Sequence, residues 1–397
     1  MLFKESILGV DRVIEDSSIC RSWGKFTLLS NQASLSSNLL YTREVLKKIS
    51  PENFVSILSP QHGFWGEQQD NMIESPHYID KKLELPVHSL YSEVREPKES
   101  MLQGIDSIVI DLQIVGCRVY TYKYTLANCL KAAKKYNKKV IVLDRPNPLG
   151  GETVEGRCLS PDAVSFVGMF SIPMRHALTV GEVAKLFNEE IGAELEVVAL
   201  SSWDPKSYWS ENFNHWIYTS PNLPNFSSVL LYPGMVLFEG TNLSEGRGTS
   251  LPFQLIGAPY ISDPEGLIKD VSQNFHLGDS GVILRPVFFQ PSSGKWGGES
   301  CGGVHILVSK MKKVRSYSLA LNLLRSFIKF GGDFFKWKEP PYEYDYKSLP
   351  INLILGSQEA DRSILKPDLD EKFWKWGIEA YLSKASRALV YDREMKN

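Results

Sequence analysis

Short apolar runs alternate with longer amphipathic stretches through the first half of the chain. Phe26-Thr27-Leu28-Leu29-Ser30, Phe54-Val55-Ser56-Ile57-Leu58, Ser107 to Leu112 and Val140-Ile141-Val142-Leu143 have strand length and few charges. Between them, residues 38–49 and 122–136 read as helices, the second with Leu126, Leu130 and Ala133 on one stripe. A further helix runs from Thr179 to Ile191, with Thr179 as N-cap and Glu182 as its capping-box partner. Leu195 to Leu200 is the next strand. Strands that are apolar at nearly every position, alternating with helices, predict a parallel sheet covered on both faces. The expected class is α/β, with a Rossmann-like, mostly parallel sheet domain.

Beyond about residue 220 the rhythm changes. Val229-Leu230-Leu231-Tyr232 reads as strand-like, as do Gly281 to Leu284 and Gly303 to Val308, with helices near 317–329 and 369–384. This predicts a second, smaller α+β domain, so that residues 1–220 form one unit and 221–397 another. Gln290 to Gly303, with five glycines, is expected to be a mobile loop.

In a parallel sheet, functional loops gather at the carboxyl ends of the strands. Those ends carry Asn31-Gln32, Ser59-Pro60-Gln61-His62-Gly63, Asp111-Leu112-Gln113 and Asp144-Arg145-Pro146-Asn147-Pro148. All four are polar, as one shared cleft requires. No G-x-G-x-x-G follows the first strand and no Walker A sequence is present, which argues against a dinucleotide or nucleotide enzyme. The densest chemistry lies later, in Leu237-Phe238-Glu239-Gly240-Thr241-Asn242-Leu243-Ser244-Glu245-Gly246-Arg247-Gly248-Thr249. Two carboxylates, an arginine, an amide and three hydroxyls fall within those thirteen residues.

Composition narrows the function classes. The 397 residues are 43% hydrophobic and 23% charged, with a net charge of −2, so neither nucleic acid nor an anionic membrane surface is an expected partner. No run of about 18 apolar residues occurs. The first eleven residues hold Glu5 and Asp11 around a short apolar run, unlike a secretory leader. Five scattered cysteines form no C-x-x-C pair. Together these features lead to the expectation of a cytoplasmic protein. No H-x-x-x-H or clustered His/Asp spacing appears, so neither a metal nor a cofactor is expected.

Eight local motifs come in a fixed order: Ser-Pro-Gln-His-Gly at 59–63, Arg-Val-Tyr-Thr-Tyr at 118–122, Leu-Asp-Arg-Pro-Asn-Pro at 143–148, Pro-Met-Arg-His at 173–176, Ser-Pro-Asn-Leu-Pro at 220–224, Leu-Tyr-Pro-Gly at 231–234, the Phe238–Thr249 segment, and Cys-Gly-Gly-Val-His at 301–305. From about Gly9 to past Leu355 this order resembles the exo-β-N-acetylmuramidase family of the NamZ type. The resemblance implies a Rossmann-like catalytic domain, a smaller closing domain and an active-site cleft between them. It also implies release of N-acetylmuramic acid from the non-reducing end of peptidoglycan fragments. Two departures stand out. Most members of the family carry secretion signals, which this sequence does not show. The family pattern Pro-Glu-His-Gly reads Pro-Gln-His-Gly here, and the neutral Gln61 cannot serve as an acid or a carboxylate nucleophile.

Glycosidic cleavage through an oxocarbenium-like state usually needs two carboxyl groups flanking the bond. Glu239 is the first candidate acid, because the apolar Met235 to Phe238 before it suggests partial burial and a raised pKa. Glu67, close to the altered motif, is the second, and Glu245 the third. Arg247 suits the lactyl carboxylate of the sugar, with Arg118 and Arg145 competing for that task. Tyr120 and Tyr122, if extended, put both rings on one face for stacking. His62 suits proton transfer or a substrate oxygen, and Asn147, Asn222 and Asn242 complete the expected carbohydrate-binding set. Two other readings stay open: a muropeptide-binding protein without turnover, and a glycosidase for a different amino sugar.

Overall fold

A computed structural model describes residues 6–70, 72–366 and 368–397. The first five residues, part of the run read for a leader, lie outside the described residues. The strands of the first half are β1 (Phe26–Ser30), β2 (Phe54–Ser59), β3 (Tyr78–Asp80), β4 (Leu85–Ser89), β5 (Ser107–Asp111) and β6 (Lys139–Leu143). β7 (Glu155–Cys158) and β8 (Pro173–Arg175) pair separately, and β9 (Glu194–Val198) returns to the main sheet. The main sheet has the order β3-β4-β2-β1-β5-β6-β9, parallel except for the edge strand β3. The chain steps outward from β1 through β2 to β4, then restarts on the other side at β5. That reversal beside β1 opens a crevice at the carboxyl ends of the strands, where α/β sheets bind ligands.

Successive strand residues enter different cores, which is why the runs are apolar throughout. Leu29, Leu58, Ile108, Ile110, Val140 and Val142 join one cluster; Phe26, Leu28, Phe54, Ile57, Val109 and Ile141 join the other. The helix Tyr122–Tyr136 closes one face. Val180–Ile191 follows, capped as expected: Glu182 N–H donates to Thr179 Oγ1 at 3.2 Å and Thr179 N–H to the Glu182 carboxylate at 2.9 Å.

The smaller layer is a three-stranded antiparallel sheet, β10 (Leu255–Ala258), β12 (Cys301–Val308) and β11 (Val282–Phe289), in the order β10-β12-β11. It is accompanied by the helices Pro264–Asn274, Ser316–Gly331 and Pro350–Leu355. The fold is thus α/β with a smaller antiparallel-sheet region. The last residues turn back to the main sheet, where Tyr391 donates to Asp144 at 2.6 Å and Arg393 pairs with Glu182 at 2.6 Å. The tail therefore belongs physically to the first layer.

Two local expectations are corrected. Val229–Tyr232 is not strand-like but lies in the helix Phe226–Met235, which the Asn225 side chain starts by accepting from Ser228 N–H at 2.9 Å. The run looks like a strand because the helix is buried all round, so it has no polar face to reveal a helical period. The helix expected near 369–384 is two short ones, Glu371–Trp374 and Ile378–Ala385, separated by Gly377 in the left-handed region.

Helix Phe226–Met235 fixes the register of the polar segment after it. At Gly234 it touches the backbone of Ser316 so closely that a Cβ would lie 1.9 Å from the Ser316 carbonyl oxygen. Gly234→Ala is expected to destabilise the protein by about 3 kcal/mol, read from denaturant unfolding, because two backbones must part.

Candidate active site

The crevice is an open cleft of about 860 Å³. Its floor continues into a small recess of about 40 Å³ that runs under Gln61 and His62. Several chain segments meet there. The turn after β2 supplies Gln61 and His62; the stretch from Val119 to Tyr122 supplies the inner wall. A 3-10 turn, Val236–Gly240, delivers Glu239, and a return of the chain near its end delivers Tyr342 and Glu343.

Glu239 sits at the junction of cleft and recess. Arg247 Nη2 donates to its Oε1 at 2.5 Å and the Tyr342 hydroxyl to its Oε2 at 2.8 Å. Burial works to raise its pKa, but the charge and hydrogen bond of Arg247 and the Tyr342 donor outweigh it, so the carboxyl is held below the usual range. The raised pKa expected from its apolar neighbours is thus corrected: the sequence shows the burial but not the cation. Glu245 pairs with Arg247 Nε at 3.2 Å and with Lys295 Nζ at 2.9 Å. Two carboxylates and two cations form a neutral, largely buried quartet.

The second cleft carboxyl is Glu343, which the sequence reading missed. Gln61 Nε2 donates to its Oε1 at 3.1 Å and Tyr91 Oη to its Oε2 at 2.8 Å. Burial pushes this carboxyl up, the two hydrogen bonds pull the other way, and the charge of Glu239 adds to the rise. The Gln61 amide is fixed in this orientation because Thr121 Oγ1 donates to its Oε1 at 2.7 Å. Glu343 and Tyr344 both have positive φ, 47° and 67°, a strained turn of the kind held in place at functional sites. The signal in the sequence was the run Pro-Pro-Tyr-Glu-Tyr, a lone carboxylate between two tyrosines behind two prolines.

His62 also has positive φ, 71°, at the end of β2. Burial pushes its pKa down to about 4 against the opposing hydrogen bond to Gln68. The ring is therefore neutral at pH 7. Because Nδ1 lies 2.7 Å from the Gln68 carbonyl oxygen, which only accepts, Nδ1 carries the proton. Nε2 is left as an acceptor at the recess.

The other expected residues divide. Tyr120, Tyr122 and Asn222 line the recess. Tyr120 and Tyr122 are not on an extended run: Tyr122 opens the helix Tyr122–Tyr136, and the rings meet at a centroid distance of 4.8 Å. The Tyr122 hydroxyl donates to the Thr219 carbonyl at 2.8 Å, tying the inner wall to the next segment. Arg145 is removed from the cleft by a buried pair with Asp111 and by its 2.7 Å bond to the Leu35 carbonyl. Arg118 is fully buried and donates to the Ile354 carbonyl at 2.9 Å. Asn147 holds its own turn, accepting from Leu149 N–H and donating to the Leu178 carbonyl. Asn242 accepts from Tyr260 and donates to the Phe334 carbonyl, which anchors the return of the chain. Glu67 is exposed beside Gly63 and does not line the cleft. Arg247, expected as the carboxylate clamp, is already engaged by Glu239 and Glu245. Among the described residues, no group of three or more His, Cys, Asp or Glu side chains is placed to hold a metal ion.

The Gln61–Glu343 contact gives a direct expectation. Gln61→Glu would put a second carboxyl about 3 Å from Glu343, and like charges at that range share a proton. The pair is expected to take up one proton above the ordinary carboxyl range, read from an NMR titration of the side-chain carboxyls.

Two family models cover most of the chain: the N-terminal part of exo-β-N-acetylmuramidase NamZ matches residues 26–227 and its C-terminal part residues 230–391. Over 320 residues the chain is 37% identical to the peptidoglycan β-N-acetylmuramidase NamZ of Bacillus subtilis (strain 168), covering 80% of this chain and 76% of that one. Two crystal structures of DUF1343 family proteins from Bacteroides fragilis NCTC 9343 share the fold. One has a TM-score of 0.84 at 26% identity, covering 98% of this chain and 99% of that one. The other has a TM-score of 0.74 at 25% identity, covering 99% and 100%. With both models matched end to end on one continuous fold, this chain belongs to the exo-β-N-acetylmuramidase NamZ family.

Proposed function

We propose that this protein is a glycoside hydrolase that removes N-acetylmuramic acid from the non-reducing end of peptidoglycan fragments, with Glu343 as general acid and Glu239 as the ionised partner. One observation carries the assignment: two buried carboxyls face one cleft and their environments push their pKa values apart. Such a split separates the group that donates a proton from the group that stabilises or attacks developing positive charge. Burial and the charge of Glu239 raise the Glu343 carboxyl, which suits it to donate a proton to a leaving oxygen. Glu239 stays ionised through Arg247 and Tyr342. Gln61 fixes Glu343 rather than reacting, and neutral His62 accepts a hydrogen bond from a sugar hydroxyl or water. Glu245 balances Arg247 and Lys295, a supporting rather than reacting role.

In this reading residues 1–220 supply the wall with Gln61, His62 and Tyr120, and residues 221–397 supply both carboxyls. The substrate is a small carbohydrate, a muropeptide fragment. Five buried cysteines with no disulfide favour a reducing compartment, which supports the cytoplasm. Among the described residues no helix is long and apolar enough to cross a membrane.

Hydrolysis of a chromogenic β-N-acetylmuramide, but not of the matching N-acetylglucosaminide, is the expected result. A folded protein that binds N-acetylmuramic acid without turning over the muramide would instead be a binding protein. Gln61, standing where the family pattern has a glutamate, is the observation that favours this second reading.

A further inference from the structure

Resting on that reading, we propose that Lys338 is the residue that recognises the lactyl carboxylate of the substrate and so separates N-acetylmuramic acid from N-acetylglucosamine. Three cations line the cleft: Arg247, Lys295 and Lys338. Arg247 is engaged by Glu239 and Glu245, and Lys295 by Glu245 and the Phe238 and Leu243 carbonyls. A lactyl carboxylate reaching for either would have to break a buried pair and leave a carboxylate facing a carboxylate, which is costly. Lys338 makes no ion pair among the described residues.

Its backbone is fixed close to the reacting groups. Thr241 and Trp337 form an antiparallel bridge, Asn242 N–H donates to the Lys336 carbonyl at 3.0 Å, and Lys338 N–H donates to the Gly240 carbonyl at 2.9 Å. Lys338 is thereby held one residue from Glu239 across the bridge. Its ammonium lies 5.7 Å from the centre of the Tyr342 ring, the ring whose hydroxyl holds Glu239. Asp70 also lines the cleft, and its charge is felt at His62.

A lysine in free solvent would contribute little. Seated over an aromatic face and covered by a bound sugar, a charge-assisted hydrogen bond is worth about 10-fold to 100-fold in affinity. The test compares wild type, Lys338→Met and Lys338→Arg on a chromogenic β-N-acetylmuramide and on its uncharged lactyl-amide analogue. Lys338→Met is expected to lower kcat/KM by about 10-fold to 100-fold on the acid, mainly through KM, and by less than about 3-fold on the amide. Lys338→Arg is expected to keep most of the activity on both. Equal losses on acid and amide, or no loss on the acid, would overturn the assignment. If wild type hydrolyses neither compound, the proposed activity fails. Lys338 is then judged by calorimetry with N-acetylmuramic acid and N-acetylglucosamine. A preference for the acid that disappears in Lys338→Met supports its role, and no preference in wild type overturns it.

Discussion

Glu343→Gln is expected to cut hydrolysis of an N-acetylmuramide with a sugar leaving group by about 100-fold to 10,000-fold, the range of a lost general acid. The substitution keeps the shape of the side chain. Tyr91 can still donate to the remaining carbonyl oxygen, while the new amide NH2 faces the Gln61 Nε2 donor, so one hydrogen bond is lost. Folding is expected to survive with a loss of about 1–3 kcal/mol, read from thermal unfolding. What is lost is the acidic proton that the mechanism assigns to Glu343. With the acid gone, the alkaline limb of the pH profile should vanish as well, because on the proposed mechanism that limb reports loss of the Glu343 proton. The acidic limb, set by protonation of Glu239, should remain.

Arg247→Met carries the largest expected loss of stability. Removing this guanidinium leaves Glu239 and Glu245 in a buried site with Lys295 as their remaining cation. Breaking a buried pair on one side costs about 3–5 kcal/mol. The sign of the pH dependence should change too. In wild type the depressed Glu239 value adds stability above the ordinary carboxyl range, and that contribution is lost as pH falls through the depressed value. Without Arg247, burial dominates and the carboxyl titrates above its unfolded value. Its contribution is then present at low pH and lost as pH rises. Denaturant midpoints measured from acid to neutral pH distinguish the two slopes.

The main sheet was legible because its evidence is local. β1, β2, β5 and β6 announce themselves as short runs with no polar face, and Thr179 with Glu182 marks a helix start by the spacing of two side chains. The helix Phe226–Met235 was misread for the same physical reason: a segment buried on every side shows no period. The loops that meet in the cleft were also legible in part. Gln61, His62 and Asn222 follow from motifs, and Glu239 from the density of polar groups around it.

The chemistry of the site was less legible, because it depends on contacts between distant residues. Glu239 looks like a raised carboxyl until Arg247 is seen folded back on it. Arg145 looks like a substrate arginine until Asp111 takes it. Glu343 stands 282 residues from Gln61, its hydrogen-bond partner, and nothing in the sequence pairs them. Glu67 is a candidate by its closeness to Gln61 in sequence, but the turn after β2 directs it to the surface.

The division of labour between the two carboxyls is tested most directly by changing the leaving group. Glu343→Gln and wild type should be compared on two β-N-acetylmuramides, one with an activated nitrophenyl leaving group and one with a sugar. A nitrophenolate departs without a proton, so the variant should keep most of its rate on the first and lose about 100-fold or more on the second. Equal losses on the two substrates would contradict Glu343 as the general acid and return that role to another group in the cleft.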